Sequence, residues 1–258
     1  MPQVLNIYNQ KLKYMNKELQ QFYKDQELNI KKQCSDEFKN LGVNFIEKTL
    51  DSKYSYNFSW MGRPIIAYPQ DMIAMQEIIW EIQPDLIIET GVAHGGSIVY
   101  YASLLELIGN NGIVIGIDID IRKHNRELIE AHPMSKRIHL IEGSSTSDTV
   151  FNEVMKIANQ KSKILICLDS NHTHDHVLKE LQLYAPLASI NSYCIVFDTV
   201  IEHISKEYTW NRPWGVGNNP GTAVNEFIKH NSDFIIDENI QNKLLITVAP
   251  GGYLKRIK

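Results

Sequence analysis

From residue 85 onward, five nearly continuous apolar runs recur, at residues 86–88, 113–117, 138–141, 164–168 and 193–197. The intervals between them are long enough to hold a helix. Residues 97–108 and 150–158 carry apolar side chains at helical spacing, and a third candidate helix lies around 176–184. Runs that are apolar on both faces, and too far apart for hairpins, demand a parallel sheet covered by helices on both sides. The pattern predicts an α/β, Rossmann-like fold with its ligand crevice at the carboxyl ends of the strands. The tail departs from it. Residues 233–236 and 244–249 are apolar with only 237–243 between them, which predicts an antiparallel edge hairpin completing a mostly parallel, seven-stranded sheet. Such a hairpin is the mark of a class I methyltransferase sheet and is unusual in a plain dinucleotide-binding one.

Residues 1–60 differ in texture, being rich in Asn, Gln, Lys and Tyr. Leu12, Met15, Leu19, Phe22 and Tyr23 fall at loose helical spacing, which predicts an amphipathic helical extension packed on the main domain, residues 61–258, or on a second subunit, in a structural role or, alternatively, as a substrate lid. A turn-rich link follows at Trp60-Met61-Gly62-Arg63-Pro64. Then comes a helix over 71–82 whose Met72, Met75, Ile78, Ile79 and Ile82 share one face. The net charge of −4, with both signs interspersed, excludes a basic nucleic-acid surface and a polybasic membrane surface. Cys34, Cys167 and Cys194 are far apart, and two of them lie in strand-like runs, so they read as reduced thiols. With no apolar run of membrane-spanning length and no signal-peptide pattern, a cytoplasmic protein is expected, and a homo-oligomer with it.

The first strand-like run leads into Glu89-Thr-Gly-Val-Ala-His-Gly-Gly-Ser, a glycine turn opening a helix. Its glycines let backbone approach a ligand closely, at a helix N-terminus with free N–H groups. A nicotinamide-binding loop reads Gly-x-Gly-x-x-Gly, whereas here an acid precedes the first glycine and the spacing is Gly-x-x-x-Gly. Glu89 would repel a pyrophosphate and attract an ammonium or sulfonium, so the loop favours S-adenosylmethionine over NAD. Glu89, Gly91, Ala93, Gly95 and Ser97 are its candidate cofactor residues. The second run ends in Asp118-Ile119-Asp120, where an acid reaches ribose hydroxyls. The third ends in Glu142-Gly143-Ser144-Ser145, with Ser144 and Ser145 suited to the adenine side or to an ordinary helix cap.

Two further runs end in aspartates, Leu168-Asp169-Ser170-Asn171-His172 and Phe197-Asp198. If those strands are neighbours, about 4.8 Å apart, the carboxylates converge and need a proton or a cation between them. Mg²⁺ or Mn²⁺ suits two carboxylates, although each Asp also fits a plain capping role. Asp169 adjoins the cofactor crevice as well. His172, three residues on, is a candidate base. The cluster His172-Thr-His174-Asp175-His176 superficially resembles the metal signature of metallo-β-lactamase-type hydrolases, but one residue is missing between His174 and Asp175, and the glycine turn has no place in that fold.

Together, Glu89-Thr-Gly-Val-Ala-His-Gly-Gly-Ser, Gly116-Ile-Asp-Ile-Asp-Ile-Arg, Ile141-Glu-Gly-Ser-Ser, Leu168-Asp-Ser-Asn-His-Thr-His-Asp-His-Val and Lys243-Leu-Leu-Ile-Thr-Val-Ala-Pro resemble the cephalosporin hydroxylase family, from about Trp60 to the C-terminus. Despite its name, the resemblance implies a Rossmann-like S-adenosylmethionine-dependent methyltransferase, related to Mg²⁺-using enzymes that methylate sugar hydroxyls on macrolides and in glycan pathways. It implies Glu89, Gly91 and Gly95 at the methionine end of the cofactor, Asp118 on the ribose, Asp169 and Asp198 on the metal, and His172 as general base. Those relatives carry an acid immediately before the second metal-binding Asp. Phe197 stands there in this chain, leaving Glu202, an extra water or a weaker metal site as the alternatives.

Tyr208-Thr-Trp-Asn-Arg-Pro-Trp-Gly-Val-Gly-Asn-Asn-Pro-Gly follows the fifth run. Aromatic faces suit a sugar ring and Arg212 suits a phosphate, so Arg212 and Trp214, with His174, are candidate contacts to a sugar or nucleotide-sugar substrate. The expected reaction is divalent-metal-assisted O-methylation of a sugar hydroxyl. A nicotinamide oxidoreductase and a non-catalytic S-adenosylmethionine-binding protein are the alternatives.

Overall fold

The computed structural model describes residues 16–209 and 212–258. Leu12 and Met15 of the expected N-terminal helix lie outside the described residues. The elements in chain order are α1 (Lys17–Lys32), α2 (Asp36–Leu50), β1 (Phe58–Trp60), β2 (Arg63–Ile65), α3 (Pro69–Ile82), β3 (Leu86–Thr90), α4 (Gly96–Ile108), β4 (Ile113–Asp118), α5 (Lys123–Glu130), β5 (Ile138–Glu142), α6 (Asp148–Ala158), β6 (Ile164–Leu168), α7 (His174–Tyr184), β7 (Tyr193–Val196), α8 (Pro220–His230), β8 (Phe234–Ile236), α9 (Glu238–Leu244) and β9 (Tyr253–Arg256).

The larger sheet has the order β5-β4-β3-β6-β7-β9-β8. Strands β3 to β7 pair in parallel, and β9 runs antiparallel to both β7 and β8. The chain starts in the middle at β3, winds outward to β5, and returns to the other side of β3 at β6. That reversal opens the crevice between the β3 and β6 ends where such sheets bind ligands. Alternate strand residues feed two cores, as the two-residue period of a strand requires. Leu86, Ile88, Ile115, Ile117 and Ile166 pack with Val154, Leu181 and Val224 on one face. Ile87, Val114, Leu165 and Ile195 pack with Met75, Ile79, Ile98 and Leu105 on the other. Burial on both faces is why these strands read as unbroken apolar runs.

The edge pair exists, but its second strand is not 244–249. Residues 238–244 form α9, capped by the Asp237 side chain on the Asn239 N–H, and the strand that pairs with β8 is Tyr253–Arg256. Val248 does not pair in a ladder because its N–H goes to Asp71 and its carbonyl to the Val200 N–H. Val248 and Ala249 are apolar because they fill the second core. Residues 60–64, read above as a link, instead close the β1–β2 hairpin.

Helix α1 buries no residue, and Phe22 and Leu28 face solvent. Helix α2 is anchored: a Cβ on Gly42 would lie 1.9 Å from the Leu245 carbonyl oxygen, and Ile46 joins Tyr68, Val200 and Ile204 in a third small core. Among the described residues no helix is long and apolar enough to cross a membrane.

Candidate active site

The loop after β3 is held from four directions. A Cβ on Gly91, at φ +93°, would stand 2.0 Å from the Asp169 carbonyl oxygen, so only glycine lets this loop lie against the end of β6. Asp118 Oδ2 accepts the N–H groups of Val92 (2.8 Å) and Ala93 (3.1 Å). Asn125 Nδ2 donates to the Ala93 carbonyl (3.0 Å), and buried Arg63 donates to the His94 carbonyl (Nε, 3.0 Å) and to Asn125 Oδ1 (3.0 Å). These contacts stabilise Ala93 at φ +45°, an uncommon conformation for a residue with a side chain. Asp118, expected on a ribose, therefore also staples the glycine loop. Gly95 does not line the cavity; its φ is +81°, and a Cβ there would press 2.5 Å from Ile129, so its role is packing.

Glu89 is 1% exposed and accepts the Ser97 hydroxyl at 2.7 Å. Burial pushes its carboxyl up to about 8, against the Ser97 hydrogen bond and with added repulsion from Asp169. Glu89, Gly91, Ala93, Ser97, Asp118, Ile119, Ser144, Ser145 and Asp169 all border one cavity of about 900 Å³. The expected cofactor residues, Gly95 excepted, thus surround a single space.

Asp169 and Asp198 follow the adjacent parallel strands β6 and β7 and converge there with His172. One ligand atom from each of the three lies within 4.8 Å of the others. His172 Nε2 is 3.1 Å from Asp198 Oδ2 and 3.5 Å from Asp169 Oδ1. Neither approach has hydrogen-bond alignment, so a buried ring nitrogen is left without a hydrogen-bond partner. Burial raises the Asp169 carboxyl to about 6, the His172 contact opposing and the Asp198 charge adding to the shift. Burial alone would lower the His172 imidazole, but the facing carboxylates of Asp198 and Asp169 outweigh it and lift it to about 9. Two carboxylates converging from adjacent strand ends fit an oxygen-preferring divalent ion, and the imidazole nitrogen beside them is left with its lone pair uncommitted.

Glu202, the alternative donor, stands outside this cluster. Its Oε2 accepts the Gly217 N–H (2.8 Å) and the Asn219 amide (2.5 Å), tying down the loop before α8. Phe197 is buried in the core that Ile195 also joins. His174 also turns away from the cavity: Nδ1 lies 2.8 Å from the Thr222 hydroxyl and Nε2 3.2 Å from Glu226, clamping α7 to α8. Arg212 and Trp214 do line the cavity, the guanidinium 5.2 Å over the indole.

The sequence reading missed a polar network behind Asp169. His176 Nε2 lies 3.2 Å from Ser145 Oγ and 3.1 Å from Ser170 Oγ, and Ser170 donates to the fully buried Glu180 at 2.7 Å. The signal was there in outline, since His176 and Glu180 stand four apart on one helix face. The N-terminal extension supplies the opposite wall, where Ile46, Leu50 and Tyr56, with Tyr68 at the start of α3, close the cavity; the sequence named none of these residues.

A chain with this β5-β4-β3-β6-β7-β9-β8 sheet has clear counterparts. The Rhamnosyl O-methyltransferase/CmcI family matches residues 52–257. The chain belongs to that family. Its similarity extends to Rhamnosyl O-methyltransferase of Mycobacterium tuberculosis and of Mycobacterium bovis, each 32% identical over 193 residues, 72% of this chain and 73% of the relative. Among solved structures, one described as "cmcI-D160 Mg-SAM" shares the fold at a TM-score of 0.56 and 20% identity, over 79% of this chain and 78% of its own. A second, "cmcI-N160 SAH", gives 0.57 and 19%, over 80% and 85%. The Rhamnosyl O-methyltransferase/CmcI assignment bears out the family resemblance and the class I fold, and makes the protein an S-adenosylmethionine-dependent O-methyltransferase.

Proposed function

We propose that the chain methylates a sugar hydroxyl, taking the methyl group from S-adenosylmethionine with the help of Mg²⁺ or Mn²⁺. The observation that carries this reading is the meeting of Asp169, Asp198 and His172 in the same cavity as the Glu89 loop. The curated relatives are named for rhamnosyl O-methylation, which supports a sugar acceptor. Nucleotide-activated sugars and sugars borne on a glycan or natural product are the acceptor classes.

In the reaction the hydroxyl oxygen bonds to the methyl carbon, the carbon–sulfur bond breaks, and the hydroxyl proton leaves. Asp169 and Asp198 would hold a divalent ion, whose charge would make an alcohol acidic enough to lose that proton. His172 is placed to receive it. Asp198 and Asp169 are the groups that raise the His172 imidazole, so a cation held between them would offset that charge and favour the neutral, proton-accepting ring. Glu89 and the loop amides line the methionine end, Asp118 and Ile119 the ribose, and Ser144 and Ser145 the adenine side. Trp214 and Arg212 supply a flat face and a cation for the acceptor.

The test is mass spectrometry of candidate sugars incubated with the purified protein, S-adenosylmethionine and metal. The expected result is a methylated sugar whose formation stops on chelation. Activity insensitive to chelators, together with a fully active His172→Ala variant, would defeat the mechanism.

A further inference from the structure

A second buried carboxylate stands in the cavity wall outside the triad. Asp71, in the first turn of α3, is 2% exposed and has hydroxyl and amide partners only. Oδ1 accepts the Thr247 hydroxyl (2.5 Å) and the Tyr253 hydroxyl (3.0 Å), and Oδ2 accepts the Val248 N–H (3.0 Å). An acid in a first helical turn has a favourable dipole contact, but that needs neither full burial nor three donors from another segment.

The far side of that segment holds the turn after Asp198. The Val248 carbonyl accepts the Val200 N–H at 3.1 Å, and the Pro250 carbonyl accepts the Thr199 hydroxyl at 2.8 Å. Residues Thr199–Glu202 form the short 3-10 turn that Asp198 opens, closed by the Ile201 N–H on the Asp198 carbonyl at 3.2 Å. Asp198 itself sits at φ +57°, a conformation that persists only where its surroundings impose it. Before it, the Phe197 N–H is fixed to the Leu168 carbonyl at 3.0 Å; after it, the 247–250 strap supplies the restraint.

We infer that Asp71 is a positioning residue for the metal centre: through Thr247 and Val248 it fixes the strap that holds Asp198 in its left-handed conformation, at the distance from Asp169 that a divalent ion requires. This rests on the metal-assisted reading above. Asp71 touches neither donor nor acceptor in this role and acts only through the strap.

The experiment measures binding of Mn²⁺ and, separately, of S-adenosylhomocysteine by calorimetry on the full chain. Asp71→Asn, which replaces an acceptor oxygen by an amide donor, is expected to weaken Mn²⁺ binding by about 10-fold or more, the usual cost of losing an outer-shell support. S-adenosylhomocysteine affinity should stay within about twofold, because its loop is held by Asp118, Asn125 and Arg63 instead. Thr247→Val should reproduce a smaller Mn²⁺ defect and carry the test if Asp71→Asn does not fold, and Thr247→Ser, which keeps the hydroxyl, should bind as wild type. Wild-type Mn²⁺ affinity in folded Asp71→Asn or in Thr247→Val overturns this inference alone. A wild-type protein that binds no Mn²⁺ overturns the metal reading and the inference with it.

Discussion

The Trp214 indole stands edge-on to the His172 imidazole, ring centroids 4.9 Å apart and planes at 79°. A positively charged or proton-accepting ring is thereby fixed in direction by an aromatic neighbour, a contact worth about 0.5–1.5 kcal/mol. Trp214→Ala is expected to lower kcat by roughly 3–10-fold while leaving S-adenosylhomocysteine affinity unchanged, and Trp214→Phe to recover most of the loss. Steady-state kinetics with parallel calorimetry would check the split.

His172 is the group placed to accept the proton. Replacing it with Ala is expected to cost about 10²–10⁴ in kcat, the range for loss of a general base. Cofactor binding should survive, because no cofactor-loop atom is hydrogen-bonded to the imidazole. Single-turnover methyl transfer at saturating cofactor measures this directly, and wild-type rates would remove His172 from the mechanism.

Gly91 sets the contact between the cofactor loop and the end of β6. In Gly91→Ala the new methyl group would meet the Asp169 carbonyl backbone at 2.0 Å and be forced to keep φ near +93°. The left-handed cost alone is about 1–2 kcal/mol. The loop and Asp169 must then shift together, so S-adenosylhomocysteine and Mn²⁺ binding are both expected to weaken. Melting temperature and the two affinities, measured on one preparation, test the linkage.

Glu89 gives the fold a pH dependence of definite sign. Its carboxyl ordinarily titrates near 4.5, and burial raises it to about 8 in the folded chain. Between those values the folded state holds a proton that the unfolded state has lost, so Glu89 makes stability fall as pH rises from about 4.5 to 8, by about 1.4 kcal/mol per unit, and then level off. Glu89→Gln should flatten that slope in denaturant titrations. A cationic ligand favours the ionised carboxylate, so S-adenosylmethionine binding by the wild type should release a proton near pH 7. Calorimetry in buffers of differing ionisation enthalpy would detect it, and an unchanged slope in Glu89→Gln would refute the assignment.

The parallel strands and the convergence of Asp169 with Asp198 were legible because burial on both faces leaves an unbroken apolar run, and each run ends where the crevice begins. The edge pair was legible in kind but misplaced. Residues 244–249 are apolar for packing under α3, and nothing local announces that Asp71, far back in sequence, takes their hydrogen-bonding groups. His174 shows a similar limit. Its spacing beside His172 suggested the cavity, whereas the helix that starts there rotates it onto Thr222 and Glu226. That the N-terminal extension could cover the substrate was legible as an alternative, but which residues form the wall, Ile46, Leu50 and Tyr56, depends on where α2 docks.

The cavity is built from two kinds of material. One side consists of strand ends locked into the sheet, where a shift of Gly91 disturbs Asp169. The other consists of an N-terminal helix and a surface loop whose side chains contribute little to either face of that sheet. Divergence can therefore remodel the second side with the sheet left intact, provided that Gly42 and Ile46 keep their seats, giving new acceptors to an unaltered methyl-transfer engine, and residues 36–57 are the natural unit of exchange.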